Sequence, residues 1–116
     1  MNDEIKKNFF DVLQSVEEIE EFIFGTSYSD FLKDIKTQRA VERNLEIIGE
    51  ALNRVKRLDH EILERVSEHY KIIGMRNILA HGYDSIDEKI LWKAISEHLP
   101  ILKKEVSKIL GQDDRQ

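Results

Sequence analysis

The sequence predicts an all-α fold, an antiparallel bundle of four or five helices, and three observations carry that expectation. Apolar residues recur at helical spacings of three and four along most of the chain, no segment alternates with the period of a strand, and proline occurs once. The 116 residues suffice for one domain with a single modest core, with no linker and no repeat.

Each element follows from the same periodicity. Over residues 3–24, Ile5, Phe9, Val12, Val16, Ile19 and Ile23 form one apolar stripe, widened by Phe10, Leu13 and Phe22. Gly25 with Thr26 and Ser27 supplies a stop and a turn, after which Ser29 or Asp30 is the expected cap of a second helical region. From Phe31 to about Lys56 the stripe is Val41, Leu45, Ile48, Leu52 and Val55, with a short break expected near residues 34–37. Gly49 inside this helix costs roughly 1 kcal/mol against alanine, so close helix packing is the expected reason for it. Asp59 caps a shorter helix carrying Ile62, Leu63 and Val66, and Ile72, Met75 and Leu79 form a buried edge beyond it. Ser85 and Glu88 match a capping box before a last helix that buries Leu91, Ile95, Leu99, Leu102, Val106 and Ile109, with Trp92 beside the stripe. Pro100 is expected to kink that helix, and residues 111–116 read as a frayed polar tail.

Composition narrows the function classes. No apolar run approaches the roughly 20 residues of a membrane span, and the N-terminal residues lack the apolar core of a signal peptide. Cysteine is absent, which excludes disulfides and thiol chemistry and makes the cytoplasm the expected compartment. The net charge of −5 argues against a protein held on nucleic acid by bulk electrostatics. Contact with RNA would need a local supply of charge, for which Arg39, Arg43, Arg54, Lys56 and Arg57 are the best source; a solvated mixed-charge helix face is the plainer reading of them.

The common phosphate-cradling glycine loops are missing, and no serine has the setting of an esterase nucleophile. His60 to Glu64 resembles a zinc-protease helix only superficially, because Glu64 stands where the second histidine is needed. His69 and His98 read as surface or core-edge residues. The stretch GMRNILAHGY, residues 74–83, is different: it gathers an arginine, a histidine and a tyrosine around an apolar run. On a regular helix Asn77 and His81 share a face, while Arg76 and His81 lie about 140° apart. Either Gly82 ends the helix and swings Tyr83 away, or Arg76 and His81 of two subunits converge across a two-fold axis. A histidine in the last turn of a helix is favoured in its protonated form by the dipole, and beside a guanidinium it suits proton transfer at a phosphodiester. The structural alternative pairs Arg76 with Glu46 or Glu50 of the second long helix, with His81 as a helix end and Tyr83 as a core-edge aromatic.

The segment RNILAHGY carries the full R-x4-H-x-Y pattern at Arg76, His81 and Tyr83, and AVERNLEIIGEALNRV, residues 40–55, resembles the second core helix of the same group. On these motifs the chain resembles HEPN-domain toxins of the HepT type, the partners of a minimal nucleotidyltransferase antitoxin in a type II toxin–antitoxin pair. The resemblance covers about residues 1–110 as one helical domain, leaving 111–116 as the tail. It implies a homodimer in which two R-x4-H motifs face each other across a cleft, and a metal-independent endoribonuclease with no cofactor. Arg76 would then hold the scissile phosphate, His81 would serve in acid–base chemistry at the RNA 2′-hydroxyl, and Tyr83 would accept AMP from the antitoxin and so silence the site. The expected partners are RNA and the antitoxin, with neither membrane nor DNA. Asn77, and Asn44 and Glu50 from the second helix, are candidate supporting residues. A different class of function fits the same residues: a non-catalytic helical module that binds a nucleotide or a partner and is modified by a nucleotidyltransferase.

Overall fold

Asn2 opens the first helix, α1 (Asp3–Ile23), by accepting the Ile5 N–H at 2.8 Å, and Asp3 and Glu4 place negative charge at its positive end. The computed structural model describes residues 1–81 and 86–114, the last two by backbone alone. Ile5, Phe9, Val12, Val16 and Ile19 are buried as the spacing requires. Phe10 and Phe22 do not widen the stripe; Phe10 is 53% exposed, because it sits one residue, or about 100°, past the buried Phe9. Gly25, at φ 73°, makes the turn that L-residues disfavour.

The next helix, α2 (Tyr28–Leu32), is capped by Ser27 rather than by Ser29 or Asp30. The Asp30 N–H donates to Ser27 Oγ and the Ser27 N–H donates to the Asp30 carboxylate, a reciprocal box in which Asp30 is the inner member. A break follows at Lys33 and Asp34, and Asp34 starts α3 (Ile35–Leu58) by accepting both the Thr37 N–H at 3.0 Å and the Thr37 hydroxyl at 2.6 Å. Buried Gln38 donates to the Phe31 carbonyl at 2.8 Å and ties α2 to α3. Asp59 ends α3 and caps α4 (His60–Glu64), below which Leu63 and Val66 are buried.

Helix α5 (His69–His81) buries Ile72 and Met75; Leu79 is half-buried, but Ile78 is 46% exposed and does not serve the core. Helix α6 (Glu88–Lys93) begins at Asp87, whose carboxylate accepts the Lys89 N–H at 2.7 Å. Glu88 is therefore the first helical residue rather than the inner member of a box, and Ser85 lies outside the described residues. One π-helical turn (Ala94–His98) follows, then α7 (Leu99–Asp114). Pro100 has no N–H and its ring crowds the carbonyl four residues back; the chain accommodates it by widening the preceding turn, where the Leu99 N–H reaches Ala94 O. Helical backbone continues through Gly111 to Asp114, where a frayed tail was expected.

The long helices α1, α3, α5 and the continuous α6–α7 unit, with single-turn α2 and α4, form the expected bundle, and no strand occurs among the described residues. Asn8 near the start of α1 accepts from Arg54 near the end of α3 at 2.8 Å, whereas Ser15 lies by Asn44, so these two helices are antiparallel. Helix α3 is central and packs against α1, α2, α4 and α5. Its approach to α5 is closest at Gly49, where an added Cβ would overlap the Cβ of Arg76.

Two outcomes test this packing. Gly49→Ala adds a methyl group into Arg76, an overpacking cost of about 1–3 kcal/mol that exceeds the ~1 kcal/mol gained by alanine in a helix. A thermal melt should show its midpoint fall by several degrees, while Gly74→Ala, with no neighbouring atom within 4 Å, should raise the midpoint. A rise in the Gly49 variant contradicts the close approach. The Asp34 carboxyl is held below the usual carboxylate range by the Thr37 hydroxyl and then the Thr37 N–H. A depressed pKa adds stability above the unfolded value of about 3.9, and that stability is lost as pH falls through the lower folded value. Asp34→Ala should therefore melt below the parent at pH 7, with the gap closing on acidification below about pH 4.

Candidate functional site

Arg76 and His81 of the motif ride on α5, whose N-terminal end is anchored by side chains from the neighbouring elements. Glu68 lies 3.3 Å from both His98 Nδ1 and Lys71 Nζ, and His69 Nε2 lies 3.8 Å from Glu64. His69 and His98 are thus core-edge residues with carboxylate neighbours. One turn further on, Ile72 and Met75 pack into the core and present Arg76 to α3.

Arg76 is placed where α3 and α5 meet. Its side chain is 28% exposed, its Nη1 donates to Asn77 Oδ1 at 3.2 Å, and its Nη2 lies 4.0 Å from Glu50 Oε1. Its Nε is buried with no hydrogen-bond partner. An arginine has five N–H donors, so this guanidinium keeps most of its capacity, and 4.0 Å is the outer limit of an ion pair rather than a bidentate clamp. With both side chains about one-third exposed, solvent further weakens the pair. Glu46 is turned elsewhere, 3.3 Å from Arg43. A fixed cation with unused, fork-shaped donors is suited to a phosphate or carboxylate ligand.

His81 is the last residue of α5 and is exposed, as is Asn77 one turn before it. Because α5 is a continuous helix from His69 to His81, the five-residue step leaves Arg76 and His81 about 140° apart within one chain. Arg76 leans on α3, whereas His81 is exposed at the helix end. Gly82 and Tyr83 lie outside the described residues. Of the two candidates on α3, Glu50 adjoins Arg76 and Asn44 does not. Asn44 donates to the Ala40 carbonyl at 3.1 Å and lines a cleft of about 190 Å³ against α1, with Asp11, Gln14, Ser15, Glu18 and Ile47.

The arginines considered for nucleic acid are largely engaged: Arg39 with Glu42 at 2.8 Å, Arg43 with Glu46, and Arg54 with Asn8. Lys56 and Arg57 remain exposed at the end of α3. Among the described residues no group of three His, Asp or Glu side chains is arranged to hold a metal, and no helix is long and apolar enough to cross a membrane. One feature escaped the periodicity. Trp92 packs against Phe31 and Tyr28, with ring centroids 5.1 and 5.9 Å apart, and Trp92 and Tyr28 border a groove of about 340 Å³ with Lys89, Lys93, Ser96 and Glu97. The spacing placed Trp92 beside the stripe but held no trace of its partners from α2.

Known proteins share this arrangement of sequence. The model of the family described as ribonuclease HepT-like matches residues 12–109. The chain is 42% identical over 103 residues to a probable ribonuclease HepT of Thermococcus cleftensis, covering 85% of this chain and 89% of the relative. It is 40% identical over 104 residues to a candidate RNase of Caldanaerobacter subterraneus subsp. tengcongensis, covering 88% and 90% of the two chains. A candidate RNase of Methanocaldococcus jannaschii is 37% identical over 103 residues, with 89% and 94% covered. No solved structure matches. Since the family match runs from within α1 almost to the end of α7 and so takes in most of the helical unit, the chain belongs to the ribonuclease HepT-like family.

Proposed function

We propose that the protein is a metal-independent endoribonuclease, the toxin of a two-component pair, acting in the cytoplasm as a homodimer and silenced when a nucleotidyltransferase antitoxin attaches AMP to Tyr83. The observation that carries this reading is the complete R-x4-H-x-Y pattern within a chain that belongs to the ribonuclease HepT-like family along most of its length. The incompletely paired guanidinium of Arg76 supports it, because a scissile phosphate is the ligand such a group fits.

In the proposed reaction the RNA 2′-oxygen attacks the adjacent phosphorus, forming the 2′-O–P bond as the bond from phosphorus to the 5′-oxygen breaks. His81 takes the 2′-hydroxyl proton or delivers a proton to the departing 5′-oxygen, and Arg76 stabilises the charge developing on the phosphoryl oxygens. The 140° between these residues in one helix is the reason for assigning the reaction to two chains, with Arg76 of one opposite His81 of the other. Asn77 holds one edge of the guanidinium, Glu50 stands behind it, and Asn44 supports α3 from the α1 side. In silencing, the Tyr83 oxygen bonds to the α-phosphorus of ATP and pyrophosphate leaves; the added phosphate would occupy the arginines and the adenine would fill the cleft.

The second reading, a non-catalytic nucleotide- or partner-binding module modified by the same nucleotidyltransferase, draws on the net charge of −5 and on the local engagement of the α3 arginines. It predicts binding without cleavage.

Arg76→Ala and His81→Ala should each slow cleavage of a mixed RNA substrate by roughly 100-fold or more, with helical content and oligomeric state unchanged by circular dichroism and light scattering. Cleavage at the parent rate in both variants refutes the assignment, and an inert, unmodified parent selects the binding module. Incubation with the cognate nucleotidyltransferase and ATP should raise the intact mass in AMP-sized steps. Tyr83→Phe should abolish the gain, and its persistence would move the acceptor elsewhere.

A further inference from the structure

We infer that Gly49 is a positioning residue for Arg76: its missing side chain is the seat that fixes where the guanidinium emerges. The inference rests on the reading of Arg76 as the phosphate-binding residue and extends it to a group that touches no substrate.

A Cβ on Gly49 would overlap Arg76 Cβ, stand 2.9 Å from Arg76 Cγ and 3.3 Å from the Ile72 carbonyl oxygen. The first two carbons of the arginine stem therefore lie in a notch whose floor is the α3 backbone. Gly74 and Gly111, also on helices, have no atom within 4 Å of the same construction, so close approach is specific to position 49 among the described helical glycines. The notch lies on the buried face of α3, beside Ile48 and Leu52.

A free arginine side chain loses the freedom of several rotatable bonds when it grips a phosphate. Here much of that freedom is already gone. The stem is walled in, Nε is buried, Nη1 is held by Asn77 at 3.2 Å, and the Glu50 carboxylate, on the residue that follows the glycine, waits at 4.0 Å from Nη2. The seat thus aims the cation while leaving its outer donors unused, which is the preorganisation that stabilising a phosphoryl transition state requires. A methyl group at position 49 lifts the stem from the notch, and a misplacement of about 1 Å can cost on the order of 100-fold in rate.

The test uses the full chain and its own RNA cleavage at a temperature well below all melting midpoints. Gly49→Ala should lower kcat/KM by about 10- to 100-fold. Val16→Ala, a cavity in α1 away from the motif that also lowers the midpoint, should keep the parent rate. Independently of catalysis, the Arg76 Nε–H signal in nitrogen-15 NMR should exchange slowly with water in the parent and rapidly in Gly49→Ala. Parent-like cleavage and exchange in Gly49→Ala overturn the inference, as does an equal loss of rate in Val16→Ala, which would assign the effect to stability alone. If Gly49→Ala does not fold, the parent decides: an Arg76 Nε–H exchanging as fast as that of exposed Arg57 means that no seat exists. A parent that cleaves no RNA sinks the proposed function instead, and the exchange measurement then judges the seat by itself.

Discussion

The close approach of α5 to α3 at Gly49 is the contact on which the rest of the arrangement depends. Helix α3 touches most of the other elements, and its buried residues, from Val41 to Val55, organise the core. At Gly49 it lets α5 come near enough for the stem of a charged residue to lie against its backbone. Arg76 would otherwise be an awkward residue to hold in the bundle, since burying a charge without partners is costly. The notch resolves this by burying the aliphatic stem and leaving the charged end near Glu50 and Asn77 at the boundary with solvent.

The surface electrostatics follow from the same helical geometry. Most ion pairs are exposed i,i+3 or i,i+4 contacts, such as Lys7 with Asp11 and Arg39 with Glu42, and pairs of that kind contribute little to stability individually. Their consequence is for binding. By engaging Lys7, Arg39, Arg43 and Lys71 locally they thin out the positive charge of a chain whose net charge is −5. An anionic ligand is therefore drawn to particular positions rather than to a broad basic face.

The C-terminal half shows how one residue reshapes a helix without ending it. Pro100 is accommodated by the π-helical turn at Ala94–His98, and Leu91, Ile95, Leu99 and Leu102 remain buried on both sides of it. The wide turn also contains Ser96, whose hydroxyl donates to the Trp92 carbonyl at 2.7 Å, next to the aromatic contact with Phe31. In this way the helix after the motif is tied to α2, and His98 of the same turn reaches Glu68 just ahead of α5.

Local rules were enough for the sequence to specify the helices, their apolar faces and most of their ends. Helical period, a glycine stop at position 25 and the cap at Asp59 act over a few residues, so they are legible in order along the chain. Where two local rules competed the reading slipped: Ser27 rather than Ser29 or Asp30 caps α2, and Asp87 rather than Ser85 caps α6. The stripe of α1 also gained Phe10 and Phe22, which a residue count admits and the packing leaves outside. The R-x4-H-x-Y pattern marked Arg76, His81 and Tyr83 as candidates, and Gly49 betrayed itself as a point of close packing. That Gly49 receives Arg76, that Glu50 rather than Asn44 stands by it, and that Trp92 meets Phe31 emerged only from the folded chain. Those contacts join residues many positions apart, and no local periodicity records which faces of two helices will meet.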